Sequence, residues 1–292
     1  MDTPTPRIRP ELLLLVSIAS VQLGSSFAKQ LFELAPPWIV VWLRILSSGV
    51  VLSVVAPPRL SGRTRLEWRR VLVYALSLTL MNVSFVMAIS RIPIGVAVTF
   101  EFIGPLAVAV AGSRKAREYL WAGLAAVGVA LLGFAPGALD VTGVLLALLA
   151  GAFWAAYIVA AGPAAEHWSG VTAVTISSWV GAVLLLPVVL ATLSSGTTQW
   201  AMQPRVWLWG LALGLLGSVI PYALELRALR TMDRGVFGIM MSLEPGAAAL
   251  LAWLVLGEDL RPVEVAAMVC VVAASMGALR GSRAAPDASL KP

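Results

Sequence analysis

Three glutamates stand where glutamate is expensive. Glu101 lies about halfway along one apolar run, in Val-Thr-Phe-Glu-Phe-Ile-Gly-Pro, and Glu244 lies halfway along another, in Met-Ser-Leu-Glu-Pro-Gly. Glu225 follows Pro221-Tyr222 in a third run, closer to the basic residues Arg227 and Arg230. A charge at the centre of a bilayer costs about 2.5 kcal/mol or more, so a carboxylate kept there points to a pathway for a cation or a proton. Pro105 and Pro245 lie just beyond Glu101 and Glu244, and a proline frees a backbone carbonyl about one turn upstream. Unpaired oxygen beside a carboxylate is what an ammonium group or a proton would seek. The plainer readings stay open: Glu101 and Glu244 each hydrogen-bonding only a neighbouring helix, and Glu225 in an interfacial salt bridge.

Other polar side chains in apolar surroundings carry two readings as well. Lys29 ends the first apolar run after Gly24-Ser25-Ser26, and either serves the site or snorkels to the interface. Arg44 lies deeper in its run, but its length favours structural pairing. Asn82 could hydrogen-bond a ligand or a helix neighbour, and Phe153, Trp154 and Tyr157 could pack or line a cavity. Trp200, Trp207 and Trp209 read as an outer interfacial belt, and His167 as a solvated loop residue.

The elements that must position these groups are membrane-spanning helices. Of 292 residues, 59% are hydrophobic and 12% charged, and the mean hydropathy is +0.89. A span needs about 20 apolar residues, so the chain has room for roughly ten and no sizeable soluble domain. The apolar runs are continuous, without the alternation of a barrel wall, which leaves helices to satisfy the backbone in lipid. Runs with no charge inside them cover 12–28, 71–90, 119–139, 141–165, 168–204, 205–224 (which opens on Arg205) and 265–279. Runs 38–56, 92–112 and 235–257 each hold one of the buried charges Arg44, Glu101 and Glu244. Breaks fall at Ala35-Pro36-Pro37, Pro57-Pro58, Ile92-Pro93, Ala135-Pro136-Gly137 and Arg261-Pro262.

The net charge of +6 could suggest a nucleic-acid partner, but the basic residues sit in short loops between apolar runs, so orientation is the better reading. With both termini cytoplasmic, Arg7, Arg9, Arg59, Arg63, Arg65, Arg69, Arg70, Arg114, Lys115, Arg117, Arg227, Arg230, Arg234, Arg280, Arg283 and Lys291 face inward, and only Arg91, Arg205 and Arg261 face outward. That asymmetry gives N-in/C-in. The polar, proline-rich start lacks a small-x-small cleavage pattern and is not expected to be a removable signal peptide.

The second half weakly repeats the first. Gly95-Val96 and Pro105-x-Ala107-x-Ala109 recur 140 residues later as Gly235-Val236 and Pro245-x-Ala247-x-Ala249, and Glu118 matches Glu258. Ser47-Ser48-x-Val50 recurs 130 residues on as Ser177-Ser178-x-Val180. On this alignment Glu244 falls opposite Gly104, nearly one turn from Glu101 and so on the same face. A repeat of five spans must insert upside down, giving two inverted five-helix halves, as in many secondary carriers. The expected division is 1–138, 139–280 and a disordered cytoplasmic tail, 281–292.

Absences narrow the chemistry. One cysteine, Cys270, and one histidine, His167, exclude a disulfide framework and a multi-histidine zinc site. There is no phosphate-binding Gly-x-x-x-x-Gly-Lys-Ser/Thr loop, no His-Glu-x-x-His and no Gly-x-Ser-x-Gly. No metal, cofactor or catalytic residue is expected, although an acid/base pair across helices stays open.

The stretches Ser20-Val-Gln-Leu-Gly-Ser-Ser-Phe-Ala-Lys29, Gly95-Val-Ala-Val-Thr-Phe-Glu-Phe-Ile-Gly-Pro-Leu-Ala-Val108, Pro221-Tyr-Ala-Leu-Glu225 and Met241-Ser-Leu-Glu-Pro245 resemble the drug/metabolite transporter superfamily, EamA type. Within it the likeness is to bacterial inner-membrane threonine and homoserine exporters. That resemblance implies ten helices, a central cavity, and proton-coupled efflux of small amino acids by a monomer or homodimer in the lipid bilayer. Organic cations or other metabolites are the alternative cargo. It marks Gln22, Lys29, Asn82, Glu101, Glu225 and Glu244 as candidate substrate-binding and pathway residues, and the aromatic Tyr157 and Tyr222 within the spans join them as candidates. Glu101 and Glu244 would handle the ammonium group or the proton, and Lys29, Gln22 and Asn82 the carboxylate and hydroxyl end.

Overall fold

The computed structural model describes residues 9–111, 116–133, 140–229, 231–232, 234–259 and 261–282. Arg7, Arg114, Lys115, Arg230, Arg283, Lys291, the Ala135-Pro136-Gly137 break and everything after residue 282 lie outside them. Among the described residues every regular element is helical: α1 (Pro10–Leu31), α2 (Pro37–Val55), α3 (Arg65–Ile89), α4 (Ile94–Glu101), α5 (Ile103–Ala111), α6 (Ala116–Gly133), α7 (Val141–Ala165), α8 (Gly170–Ser194), α9 (Pro204–Gly214), α10 (Ile220–Leu229), α11 (Arg234–Met241), α12 (Glu244–Leu256) and α13 (Pro262–Ser282). A short π-helical stretch, Leu215–Val219, joins α9 to α10, and a 3-10 turn, Gln199–Met202, precedes α9.

Helix starts follow local chemistry. Thr64 and Glu67 form a reciprocal capping box on α3, and Ser169 caps α8 by accepting from the Thr172 amide. Asp140 caps α7 by accepting from the Gly143 amide; that bond, with Arg91 beside it, holds the Asp140 carboxyl below the usual carboxylate range. Gly257 ends α12 with φ 67°, a left-handed turn that suits a residue without a Cβ.

Among the described residues, seven helical stretches are long and apolar enough to cross a membrane: Pro10–Leu31, Pro37–Val55, Arg65–Ile89, Val141–Ala165, Gly170–Ser194, Pro204–Ala228 and Val236–Leu256. Three shorter apolar stretches, Ile94–Val108, Tyr119–Gly128 and Pro262–Gly277, join them. Outward-facing Leu15, Val54, Leu120, Val183, Leu190 and Leu254 are exposed, as a surface solvated by lipid requires. The bundle has two ends. Arg70 beside Glu166, and Leu13 and Leu14 packed with Ala228, mark the amino-terminal face. Lys29 beside Glu258, and Trp38 bonded to Thr192, mark the opposite face.

Close packing sets the interior. α3 lies along α7 and α8, α2 along α8 and α9, α1 along α10 and α12, and α6 along α13. Gly104 and Gly151 bring the α4–α5 junction onto α7: a Cβ on Gly104 would overlap the Gly151 carbonyl, and one on Gly151 would crowd the Glu101 carbonyl at 2.6 Å. Small residues at this crossing are what membrane helices use to approach closely.

Two spans are broken. α4 ends at Glu101 and α5 starts at Ile103, while α11 ends at Met241 and α12 starts at Glu244. Pro105 and Pro245 lack the amide that would bond one turn back, so each break coincides with an interrupted ladder. The π-helical stretch has the same origin. Pro221 leaves the Gly217 carbonyl without its helical donor, and the Arg44 guanidinium takes it instead at 2.8 Å. Ser20 likewise donates to the Leu216 carbonyl at 2.7 Å.

The Trp200 expectation changes here. Trp200 is buried, because the 3-10 turn folds it against Trp207 (ring centroids 6.2 Å apart) and the apolar cluster beneath, while Trp207 is exposed. His167 is also tied down rather than freely solvated: its carbonyl accepts from Arg63 at 2.8 Å, and its ring lies 2.9 Å from the Arg70 guanidinium.

Candidate functional site

The helix breaks and the π-helical stretch surround a cavity of about 530 Å³, within the usual range for small-molecule sites, roughly 300–1,000 Å³. Most of its lining falls in the middle of the helices and in their halves toward the amino-terminal face, while Asn82 and Phe85 lie in the half of α3 nearer the opposite face. α1 contributes Gln22, α2 Arg44, α3 Asn82, α4 Glu101, α7 Trp154 and Tyr157, α10 Tyr222 and Glu225, and α12 Glu244. Most of the remaining wall is apolar, including Leu78, Met81, Phe85, Phe102 and Met241.

Seven of the eight residues singled out in the sequence therefore share one cavity, and Lys29 is the exception. Its ammonium lies 2.5 Å from Glu258 Oε1 and donates to the Ile92 carbonyl at 3.1 Å. Glu258 Oε2 in turn accepts the Ile94 amide at 3.0 Å, capping the start of α4. This three-way latch ties the ends of α1, α3–α4 and α12 together on the opposite face. Beside it, Ile39, Val40, Leu43, Ile89, Ile92 and Ile94 form a fully buried apolar plug between the cavity and that face.

Arg44 pairs structurally, as expected of a long side chain, and its partner is a freed carbonyl on a neighbouring helix inside the cavity, which adds it to the lining residues. Gly217 must lack a side chain for this to happen, since a Cβ there would sit 2.7 Å from Arg44 Nε. One signal was present: a proline four residues after Gly217 announces an orphan carbonyl, and a buried arginine needs an acceptor. With one Nη committed, Nε stays buried without a protein partner, as does Oε1 of Gln22. Such unpaired polar atoms are costly unless a ligand or water meets them.

The charges are arranged by sign. Arg44 and Glu101 face each other closely enough to interact through space without an ion-pair contact. Glu244 feels both Glu101 and Glu225, and Glu225 accepts from Ser17 Oγ at 2.7 Å. Three carboxylates thus oppose one guanidinium. The Tyr157 ring lies 5.0 Å from that of Tyr74, and Trp154 stacks edge-on against Phe102 at 5.4 Å. Asn82 commits one amide hydrogen to the Leu78 carbonyl at 2.8 Å and keeps its other polar atoms. Among the described residues no three His, Cys, Asp or Glu side chains approach closely enough to hold a metal ion.

Apolar spans around a charged, half-open cavity define a multi-pass membrane protein that handles a small polar solute. Comparison with known proteins gives the family. The model of the EamA-like transporter family matches residues 141–280. The threonine/homoserine exporter RhtA of Salmonella typhimurium (strain SL1344) is 37% identical over 285 residues, covering 95% of this chain and 94% of that protein. RhtA of Escherichia coli (strain K12) is 38% identical over 275 residues, 92% of this chain and 90% of that one. The uncharacterized transporter YvbV of Bacillus subtilis (strain 168) is 27% identical over 211 residues, 67% of each chain. A solved crystal structure superposes with a TM-score of 0.60 at 18% identity, over 94% of this chain and 99% of the other, which is a likeness of fold. The chain belongs to the EamA-like transporter family; it is a multi-pass inner-membrane transporter and not an enzyme.

Proposed function

We propose that this chain exports small amino acids and close analogues, of the threonine or homoserine kind, as a secondary carrier working by alternating access. One observation carries the reading: a single cavity holds a guanidinium with free donors opposite buried carboxylates, which matches both ends of a zwitterion. The names of the RhtA relatives point the same way. Arg44 takes the substrate carboxylate, and Glu101 and Glu244 take the ammonium group or a coupling proton. Gln22 and Asn82 orient the polar groups, Tyr157 and Tyr222 form the wall, and Glu225 stands toward the amino-terminal face. Lys29 serves the latch, not the substrate.

Ten spans in two inverted halves, 1–138 and 139–280, followed by a tail 281–292, fit this role. Two features support the repeat. The breaks at Phe102 and Ser242 are separated by the same 140 residues as the repeated motifs. Interrupted spans at matching positions are a mark of binding sites in inverted-repeat carriers. Ser178 Oγ also meets its repeat mate Ser48 Oγ at 3.3 Å, the self-contact expected next to a two-fold axis.

With the basic loops cytoplasmic, the amino-terminal face is the inner one. The cavity then faces the cytoplasm, with plug and latch closing the outer side, and proton movement through the glutamates drives the return. The test is counterflow: proteoliposomes preloaded with threonine should accumulate external labelled threonine. Accumulation of a lipophilic cation and not of threonine would move the reading to cation export, which the excess of carboxylates over Arg44 would suit.

A further inference from the structure

A second, much smaller pocket of about 20 Å³ opens off the main cavity. The two share Leu78, Asn82, Ser218 and Tyr222, and behind these the small pocket is lined by the polar Thr79, Ser177 and Ser178 and by the apolar Ile45 and Val174. A space of about 10–15 Å³ is enough for one water-sized group. We propose that this pocket receives the side-chain hydroxyl of the substrate, so that Thr79, Ser177 and Ser178 select hydroxyl-bearing amino acids over their methyl isosteres. The inference rests on the amino-acid reading above and adds the residues that choose among amino acids.

The hydrogen-bond accounting supports it. Thr79 Oγ1 donates its proton to the Ser177 carbonyl at 3.3 Å and Ser177 Oγ to the Ala75 carbonyl at 3.1 Å, while the one proton of Ser178 Oγ is shared between the Val174 carbonyl at 3.0 Å and Ser48 Oγ at 3.3 Å. Each hydroxyl has one proton and two lone pairs, so with the protons committed the wall presents acceptors. All three side chains are almost fully buried, at 2%, 3% and 8% exposure. A hydroxyl entering the pocket can donate to that wall and accept the second amide hydrogen of Asn82. A methyl group fits by size but leaves buried acceptors unmet, and a carboxylate would meet lone pairs with its own. The pocket also lies where the substrate would place it, because Ser218 follows Gly217, whose carbonyl holds Arg44. A carboxylate anchored on Arg44 sets the α-carbon a few bonds from this opening.

Leaving a buried hydrogen-bonding group unpaired costs enough to lower affinity roughly 5- to 150-fold. The test is counterflow competition in proteoliposomes by two matched pairs, threonine against valine and homoserine against norvaline, with wild type, Thr79→Val and Ser177→Ala. Wild type should prefer the hydroxyl member of each pair by roughly 5- to 150-fold. Both variants, at normal abundance, should narrow the preference by weakening threonine and homoserine while valine and norvaline stay unchanged. Threonine counterflow with valine competing equally well overturns the pocket's role alone. So does a preference unchanged in both variants, including the case where their transport depends instead on replacing sodium by choline, which would assign the pocket to a cation. No threonine counterflow in correctly inserted wild type overturns the amino-acid reading and this inference together.

Discussion

Removing the Lys29 ammonium should open the outer side of the carrier. Lys29→Met keeps the apolar stem and deletes a charge 2.5 Å from Glu258 that also bonds the Ile92 carbonyl. Glu258 is left with the Ile94 amide alone. The two side chains are 27% and 16% exposed, so the loss falls between that of an exposed pair, about 0–1 kcal/mol, and that of a broken buried pair, about 3–5 kcal/mol. A cost of about 1–3 kcal/mol, at 1.4 kcal/mol per tenfold, shifts the balance toward the outward-open state by roughly 5- to 150-fold. The assay starts from Cys270→Ser, which removes the one native cysteine, and adds Val98→Cys, a cavity position 1% exposed beneath the plug. A membrane-impermeant maleimide added from the non-cytoplasmic side should label the Lys29→Met protein faster by that factor. Glu258→Gln in the same background should add little, because the two changes break one interaction. Labelling within about twofold of the parent, in properly inserted protein, would refute the latch.

Two further predictions address packing and the guanidinium. Gly104→Ala should lower the stability of detergent-solubilised protein by about 1–3 kcal/mol or more, since the new Cβ overlaps the Gly151 carbonyl. Gly123→Ala, whose Cβ would meet nothing within 4 Å, should cost nothing measurable by the same thermal melt. Arg44→Gln should raise the threonine concentration for half-maximal counterflow at least roughly 30-fold, the lower end of losing a buried charged partner, about 2–5 kcal/mol. Unchanged half-saturation would exclude Arg44 as the carboxylate anchor.

Much of this architecture is written in the chain. Continuous apolar runs announce the spans, prolines announce the breaks, and the intramembrane glutamates announce the cavity, because each reflects a cost that lipid imposes on the sequence directly. The partners of Lys29 and Arg44 are different. Lys29 meets Glu258 from the far end of the chain, and nothing local to Ser25-Ser26-Phe27-Ala28-Lys29 distinguishes a snorkelling lysine from one that locks three helices. Arg44 lies on a helix apolar on every side, so no amphipathic face shows which way it points. The small pocket is hidden for a related reason: serine and threonine within spans usually bond their own helix, as Ser53 and Thr175 do. Only the meeting of α3 and α8 shows that Thr79, Ser177 and Ser178 turn their lone pairs to one space.

The central claim is that one cavity holds both ends of an amino acid, with Glu101 and Glu244 at the ammonium end. The most direct measurement is labelled-threonine counterflow by wild type, Glu101→Gln and Glu244→Gln, reconstituted at equal density and compared across pH. Accumulation in wild type, with loss or a changed pH dependence in both variants, is the predicted result. Full accumulation by both variants with an unaltered pH profile would contradict the account.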